Sequence, residues 1–369
     1  MTHTLVGATL ARTRLARAGR GTTAALILSS NAPDIDIVAA AGGAAKYLEW
    51  HRGPTHGPLG VVVLAVVVAA IVWTMRRLLD ARRRSDPEPA DQRPTDAPFA
   101  TLLAVSAIGV VAHVLMDLPT SYGTRLLSPF AWRWYAFDWM PIIDIYLLMV
   151  LVAALFGRGT DAQRRSKAAI VLALIAANYG LRAAAHHQAL DLAPRLFGPT
   201  LPELCDAPAE ASRIESWPRT PPSPPSSGRR CLVELAAMPT FESPFRWRII
   251  AQMSNAYELH DIDLLDSRFR HPEAGSAAPW RLTLRYPNVW TPTVARAAAT
   301  PFAQVFLGFS RFPAARSAVD PHGDVTVRWS DMRFAGIAPL AEPARSVNPF
   351  TLTVRVAPDG RVLEERIMR

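Results

Sequence analysis

The stretch Phe99-Ala-Thr-Leu-Leu-Ala-Val-Ser-Ala-Ile-Gly-Val-Val-Ala-His113-Val-Leu-Met-Asp117-Leu118 decides how the chain is read. It is apolar for most of its length, at or just under what a bilayer crossing needs, and it then closes on an imidazole and a carboxylate. Their spacing puts His113 and Asp117 on one face of a helix, able to share a metal or to hydrogen-bond each other. Groups of this kind beside lipid are costly unless paired, wet or metal-bound. An ordinary helix-end His–Asp pair has the same spacing, and Pro119-Thr-Ser-Tyr-Gly123 breaks the helix in either case.

Working outward, three further apolar runs cover about Pro58–Thr74, Pro141–Phe156 and Ala168–Ala185. With the first they predict an α-helical membrane bundle of about four full spans. Their glycines and alanines suit close helix packing in lipid. Two weaker segments, Thr4–Leu10 and Thr22–Ile37, precede them and read as a short N-terminal helix pair or as re-entrant pieces. A cleaved signal peptide is not expected, because Asn31, Pro33, Asp34 and Asp36 interrupt the apolar core such a signal needs.

From about Cys231 the pattern changes. Trp280–Tyr286, Asp324–Trp329 and Phe350–Val356 alternate apolar with polar residues, as half-buried strands do, and Ala357-Pro-Asp-Gly-Arg361 reads as a turn. The expected organisation is a transmembrane helical domain over 1–186, a Pro/Ser-rich linker over 187–230, and a C-terminal β-rich soluble domain over 231–369.

Charge orients the bundle. The formal net charge is +9, and only Lys46 and Lys167 of the 40 basic residues are lysines. No basic stripe interleaved with aromatics accompanies this charge, so no nucleic-acid partner is expected. Arginines cluster instead in three short loops, at 12–20, 76–84 and 158–167, and the positive-inside rule assigns those loops to the cytoplasm. The aromatic cluster Trp132–Trp139 then lies at the outer interface. His3, Asp34, Asp36, His51, His56, His113, Asp117 and Asp144 all fall at outer ends, and everything after Ala185 lies outside. There a Cys205–Cys231 disulfide would persist, although two free thiols are the other reading of this pair.

The remaining clusters are Asn31-Ala-Pro-Asp34-Ile-Asp36 and His51-Arg-Gly-Pro-Thr-His56. Gly53 and Pro54 exclude a regular helix, so both histidines project from a turn. Asp34 and Asp36 can both face one site only from an extended or turn backbone, which Pro33 encourages. Each cluster alone has a bland reading, as interfacial histidines or as a capping carboxylate. Imidazole with carboxylate is also the ligand set of hydrolytic Zn²⁺ and Mn²⁺ sites. The remaining histidines, His186, His187, His260, His271 and His322, show no ligand-like spacing and read as interfacial or surface residues.

The order Thr2-His3, Pro33-Asp34-Ile-Asp36, His51-Arg52-x-x-Thr55-His56 and His113-x-x-x-Asp117-x-x-Thr120 resembles the YdjM-type inner-membrane metal-dependent hydrolase family. The stretches HRGPTHG and HVLMDLPTSYGTRLLSPF carry the likeness, which covers roughly residues 1–150. Pro239–Arg248 is similar to the start of the soluble tail in many members, and Asp144 matches a recurring Asp. One departure is Gly57, where the family usually has Ser. The resemblance implies a multi-pass protein of a bacterial-type inner membrane and a zinc-type hydrolase.

The resulting expectation is a membrane-bound metal-dependent hydrolase with its site at the outer interface and a small-molecule, phosphoester or lipid-derived substrate. Its expected ligands are His3, Asp34, Asp36, His51, His56, His113 and Asp117, too many for one tetrahedral zinc. Some must serve a second metal, orient a ligand or act as a base. Asp34 or Asp36 is expected to take a proton from water, Arg52 to hold an anionic oxygen, and Thr55 and Thr120 to orient histidine or substrate. The alternative is a non-enzymatic membrane protein, a transport path or scaffold with a structural metal.

Overall fold

In the computed structural model the described residues are 1–83, 95–156, 159–197, 202–205, 214–218, 230–266, 284–335 and 350–368. The chain forms two compact units. The first comprises residues 1–38, 52–136 and 142–181, and the second 39–51, 137–141 and 182–369.

The first unit is helical. It contains α1 (Thr2–Leu10) and α2 (Thr22–Ser29), and the chain then enters a 3-10 helix over Ala32–Gly42. Helix α3 (Gly43–Trp50) belongs to the second unit. The first resumes with α4 (Pro58–Arg83), α5 (Phe99–Asp117), α6 (Ile145–Leu155) and the first two-thirds of α7 (Asp161–Leu192). Helices α4, α5 and α7 are long and apolar enough to cross a membrane. A fourth crossing results if the bent pair Thr22–Ser29 and Ala32–Trp50 counts as one. The Pro141–Phe156 run yields only the eleven residues of α6. Its start is delayed because the Asp144 carboxylate accepts the Leu147 N–H at 2.7 Å and caps the helix there.

Close packing of α2 on α5 sets the spacing at the end of the bundle. Ala25, Leu26, Leu102 and Val105 are buried together with Val68, Ala69 and Val72 of α4. One turn further along, Gly109 lies against Ser29 so closely that a Cβ there would stand 1.9 Å from Ser29 Oγ. Small residues let helix backbones approach in this way.

Two short strands, β1 (Trp134–Ala136) and β2 (Glu215–Trp217), come first in the chain, and the second unit is built on two four-stranded antiparallel sheets. One has the order β3 (Leu232–Pro239), β4 (Arg246–Met253), β5 (Ala256–Asp263), β6 (Leu284–Pro287). The other has the order β10 (Val362–Met368), β9 (Thr351–Val356), β8 (Val325–Asp331), β7 (Pro313–Val319). Strands β8 and β9 match the expected alternation. Of the expected Trp280–Tyr286 strand, residues 280–283 lie outside the described residues and the rest enters β6. The expected turn forms, with Gly360 at φ 89° and its N–H donated to Ala357 O at 2.9 Å.

Period-two patterning sorts the first sheet's side chains between two cores. Trp247, Ile249 and Ile262 face Ala185, Ala189 and Leu192 at the end of α7. Ile250, Tyr257 and Leu259 face Phe312, Ala314 and Met332. Full burial of such a side chain contributes about 1.5–3 kcal/mol. Two of the histidines read as interfacial or surface residues are buried inside this unit. His186 is buried with its ring 5.5 Å from that of Trp247, and His260 is buried on β5 opposite Ile249. Strand alternation places His260 on the core face whatever its polarity. His187 and His322 are exposed, and His271 lies outside the described residues.

Cys205 and Cys231 form a disulfide with Cα atoms 5.0 Å apart. The unit also buries charge. The Arg311 guanidinium meets Asp138 Oδ2 at 2.5 Å, Glu234 Oε1 at 2.6 Å and Glu215 Oε2 at 3.3 Å.

Candidate metal centre

At one end of the helical unit two helical segments and one turn converge. Helix α5 brings His113 and Asp117 in its last turn, both buried. The turn before α4 brings His56, whose N–H is donated to Gly53 O at 2.9 Å. The 3-10 helix after α2 brings Asp34. Ligand atoms of Asp34, His56, His113 and Asp117 all lie within 4.8 Å of one another.

The inner geometry is tighter. His56 Nε2 and His113 Nε2 are 3.2 Å apart, and each is 3.2 Å from Asp117 Oδ2. Asp34 Oδ1 is 3.5 Å from His113 Nε2. Hydrogen bonding assigns the tautomer of His113. His113 Nδ1 lies 2.8 Å from the carbonyl of Ser30, which only accepts, so Nδ1 carries the proton and Nε2 a lone pair. His56 Nδ1 faces Thr55 Oγ1 at 3.0 Å and Asp36 Oδ2 at 3.7 Å, the outer-shell arrangement that aims a histidine at a metal. Burial lowers the pKa of the His56 imidazole, against the pull of Asp117, and so favours the neutral form that a metal takes.

Two ring nitrogens and a carboxylate oxygen therefore meet in a buried space. Asp117 Oδ2 has no hydrogen-bond partner there. Atoms held this close are bridged either by a proton on one imidazole or by a metal cation. Tetrahedral zinc at 2.0–2.1 Å from its ligands separates them by about 3.3 Å, and the triangle observed has that size. The residues present fit a divalent ion.

The other expected ligands take different places. Asp36 does not share a face with Asp34, because the backbone is a 3-10 helix and not the extended or turn form its spacing suggested. Residues two apart in such a helix diverge, and Asp36 Oδ2 accepts the Arg52 N–H at 2.7 Å behind His56. The His3 ring stacks on His113 with centroids 3.7 Å apart, and its Nε2 lies 3.5 Å from Asp117 Oδ1. His51 ends α3 and stacks on Tyr47 at 4.4 Å, and it is not one of the four. The Arg52 guanidinium donates to Asp117 Oδ1 at 2.8 Å, and to Thr120 Oγ1 and Gly123 O at 3.1 Å each. Thr120 also donates to Asp117 O at 2.6 Å, closing the end of α5. Sequence reading missed Ser30, which acts through its carbonyl and so has no side-chain signal.

Over residues 1–189 the sequence matches the family described as YdjM inner membrane protein. The chain belongs to this family. The departure at Gly57 has a local cause in this member: Ser128 O occupies the space, 1.7 Å from where a Cβ would stand. The chain is also similar to the uncharacterized protein YfhP of Bacillus subtilis (strain 168), with 28% identity over 131 residues. That match covers 36% of this chain and about a third (35%) of YfhP. No solved structure matches.

Proposed function

We propose that this YdjM family member is a zinc-dependent hydrolase acting on the phosphoester of an amphiphilic substrate at the outer face of the inner membrane. The observation that carries the reading is the buried triangle of His56 Nε2, His113 Nε2 and Asp117 Oδ2 with Asp34 at its edge. A bound zinc or manganese ion would supply Lewis acidity and lower the pKa of a water toward 7.

The chain's own residues divide the remaining work. His56, His113 and Asp117 are closed off from solvent, whereas the Asp34 side chain is 47% exposed. Substrate and water therefore approach from the Asp34 side, and Asp34 is the carboxylate able to take a proton from the attacking water. Thr55 orients His56. Ile35, Ile37 and Val38, beside Asp34, are exposed apolar side chains. Such a flank suits a headgroup whose tail stays in lipid better than a fully soluble substrate. The outward orientation is supported by the basic loops and by the Cys205–Cys231 disulfide, which persists in an oxidising compartment.

The test is the metal content of detergent-purified wild type beside His56→Ala and His113→Ala. Stoichiometric zinc or manganese, lost in both variants, is expected, followed by hydrolysis of phosphodiesters or phospholipids by the loaded wild type alone. A folded wild type that takes up neither metal on reconstitution would sink the reading.

A further inference from the structure

Arg52 stands out because its backbone is in an uncommon conformation and almost every polar atom it has is engaged. Its φ is +49°, one of two positive values at non-glycine residues among the described residues. A side-chain-bearing residue holds this conformation only where the surroundings impose it. Here the N–H is donated to Asp36, the carbonyl accepts from Arg125 N at 2.9 Å, and the guanidinium lies 4.9 Å over the Tyr122 ring. Both terminal nitrogens of the guanidinium are spent on Asp117, Thr120 and Gly123, and Nε is buried. No open edge is left for an incoming anion, the role its sequence position first suggests.

We infer that Arg52 is the positioning residue of the centre, setting two ligands through two different parts of itself. Through the guanidinium it fixes Asp117 Oδ1, which turns Oδ2 toward the two Nε2 atoms. Through the left-handed backbone it aims its N–H at Asp36, which in turn faces His56 Nδ1 and holds that ring with Nε2 inward. The pairing with Asp117 also offsets one carboxylate charge in a buried site, so the four-residue group with Arg52 suits a divalent ion. This inference rests on the metal-centre reading of the same residues.

The two arms separate experimentally. Arg52→Gly removes the guanidinium but keeps the N–H and suits a positive φ. Arg52→Lys keeps the charge but not the planar fork. Asp36→Asn weakens the other arm with Arg52 intact. Zinc affinity by competition and the visible spectrum of the cobalt-loaded full-length protein are measured in detergent, with thermal melting of the metal-free protein as the check of folding. Arg52→Gly and Asp36→Asn should each weaken zinc binding by about 10- to 100-fold and alter the cobalt bands, with Arg52→Lys falling between. Wild-type zinc affinity and cobalt spectrum in folded Arg52→Gly, or in Arg52→Lys should the glycine variant not fold, would overturn the inference and leave the metal centre standing. A wild type that binds neither metal would overturn both.

Discussion

Ser29 and Gly109 touch where a side chain on the second would have to be: a Cβ at Gly109 would meet Ser29 Oγ at 1.9 Å. The contact sits beside the centre, since Ser30, the next residue on one side, presents the carbonyl that holds His113, four residues on from Gly109.

Gly109→Val should therefore cost both stability and metal binding. Forcing α2 from α5 is expected to destabilise by about 1–3 kcal/mol, as overpacking does. It also moves Ser30 O from His113 Nδ1. Thermal unfolding in detergent with and without zinc checks this: the variant should melt lower and gain less from the metal than wild type.

At Gly57 there is no room for a side chain. Gly57→Ser would drive a side chain into Ser128 O, which is backbone and cannot swing aside. The loop carrying His56 must shift, so zinc affinity should fall even though no ligand has changed. A Gly57→Ser protein with unaltered zinc affinity would show that the 125–130 segment yields freely.

In the second unit, Arg311 and Asp138 form a pair in which both side chains are almost fully buried. Burial raises the Asp138 pKa, and the Arg311 guanidinium opposes that shift. Removing Arg311 leaves the buried Asp138 and its neighbour Glu234 uncompensated, at about 3–5 kcal/mol, whereas Asp138→Ala leaves Arg311 paired with Glu234 and Glu215. Arg311→Met should destabilise by that order in denaturant titration, and Asp138→Ala by clearly less.

His260 makes the stability of this unit depend on pH. Burial lowers its pKa below 6.5, and neither ring nitrogen has a hydrogen-bond partner. The unfolded chain thus binds the proton more readily than the folded one. The stabilisation is complete above about pH 6.5 and is lost as pH falls through 6.5 toward the folded value. Wild type should lose stability between pH 7.5 and 5 relative to His260→Gln, compared by denaturant midpoint at each pH; equal slopes for the two proteins would remove His260 from the account.

Much was legible in the chain itself, because bilayer crossing and strand burial each impose a period or a length on apolar residues. The apolar runs Phe99–Leu118 and Pro58–Thr74 and the alternation at Asp324–Trp329 and Phe350–Val356 needed no partner to be recognised. The spacing of His113 and Asp117 marked one side of the centre, since a helix alone puts them on one face. What neighbours decide was not legible. Which of seven polar residues meet is set by the approach of α2 to α5 and by the turn at Arg52, contacts between segments far apart in sequence. Asp34 and Asp36 stand two residues apart, yet the 3-10 backbone gives one to the centre and the other to the Arg52 N–H. The burial of His260 and His186 likewise follows from the faces their strand and helix present to a core. Sequence by itself determined the bundle, the β-rich part and the donor types, because these follow from local periodicity and side-chain chemistry. Tertiary structure alone decided the assembly of four donors within 4.8 Å of one another and the contacts of Arg52, because such convergence depends on backbone packing that no single segment encodes.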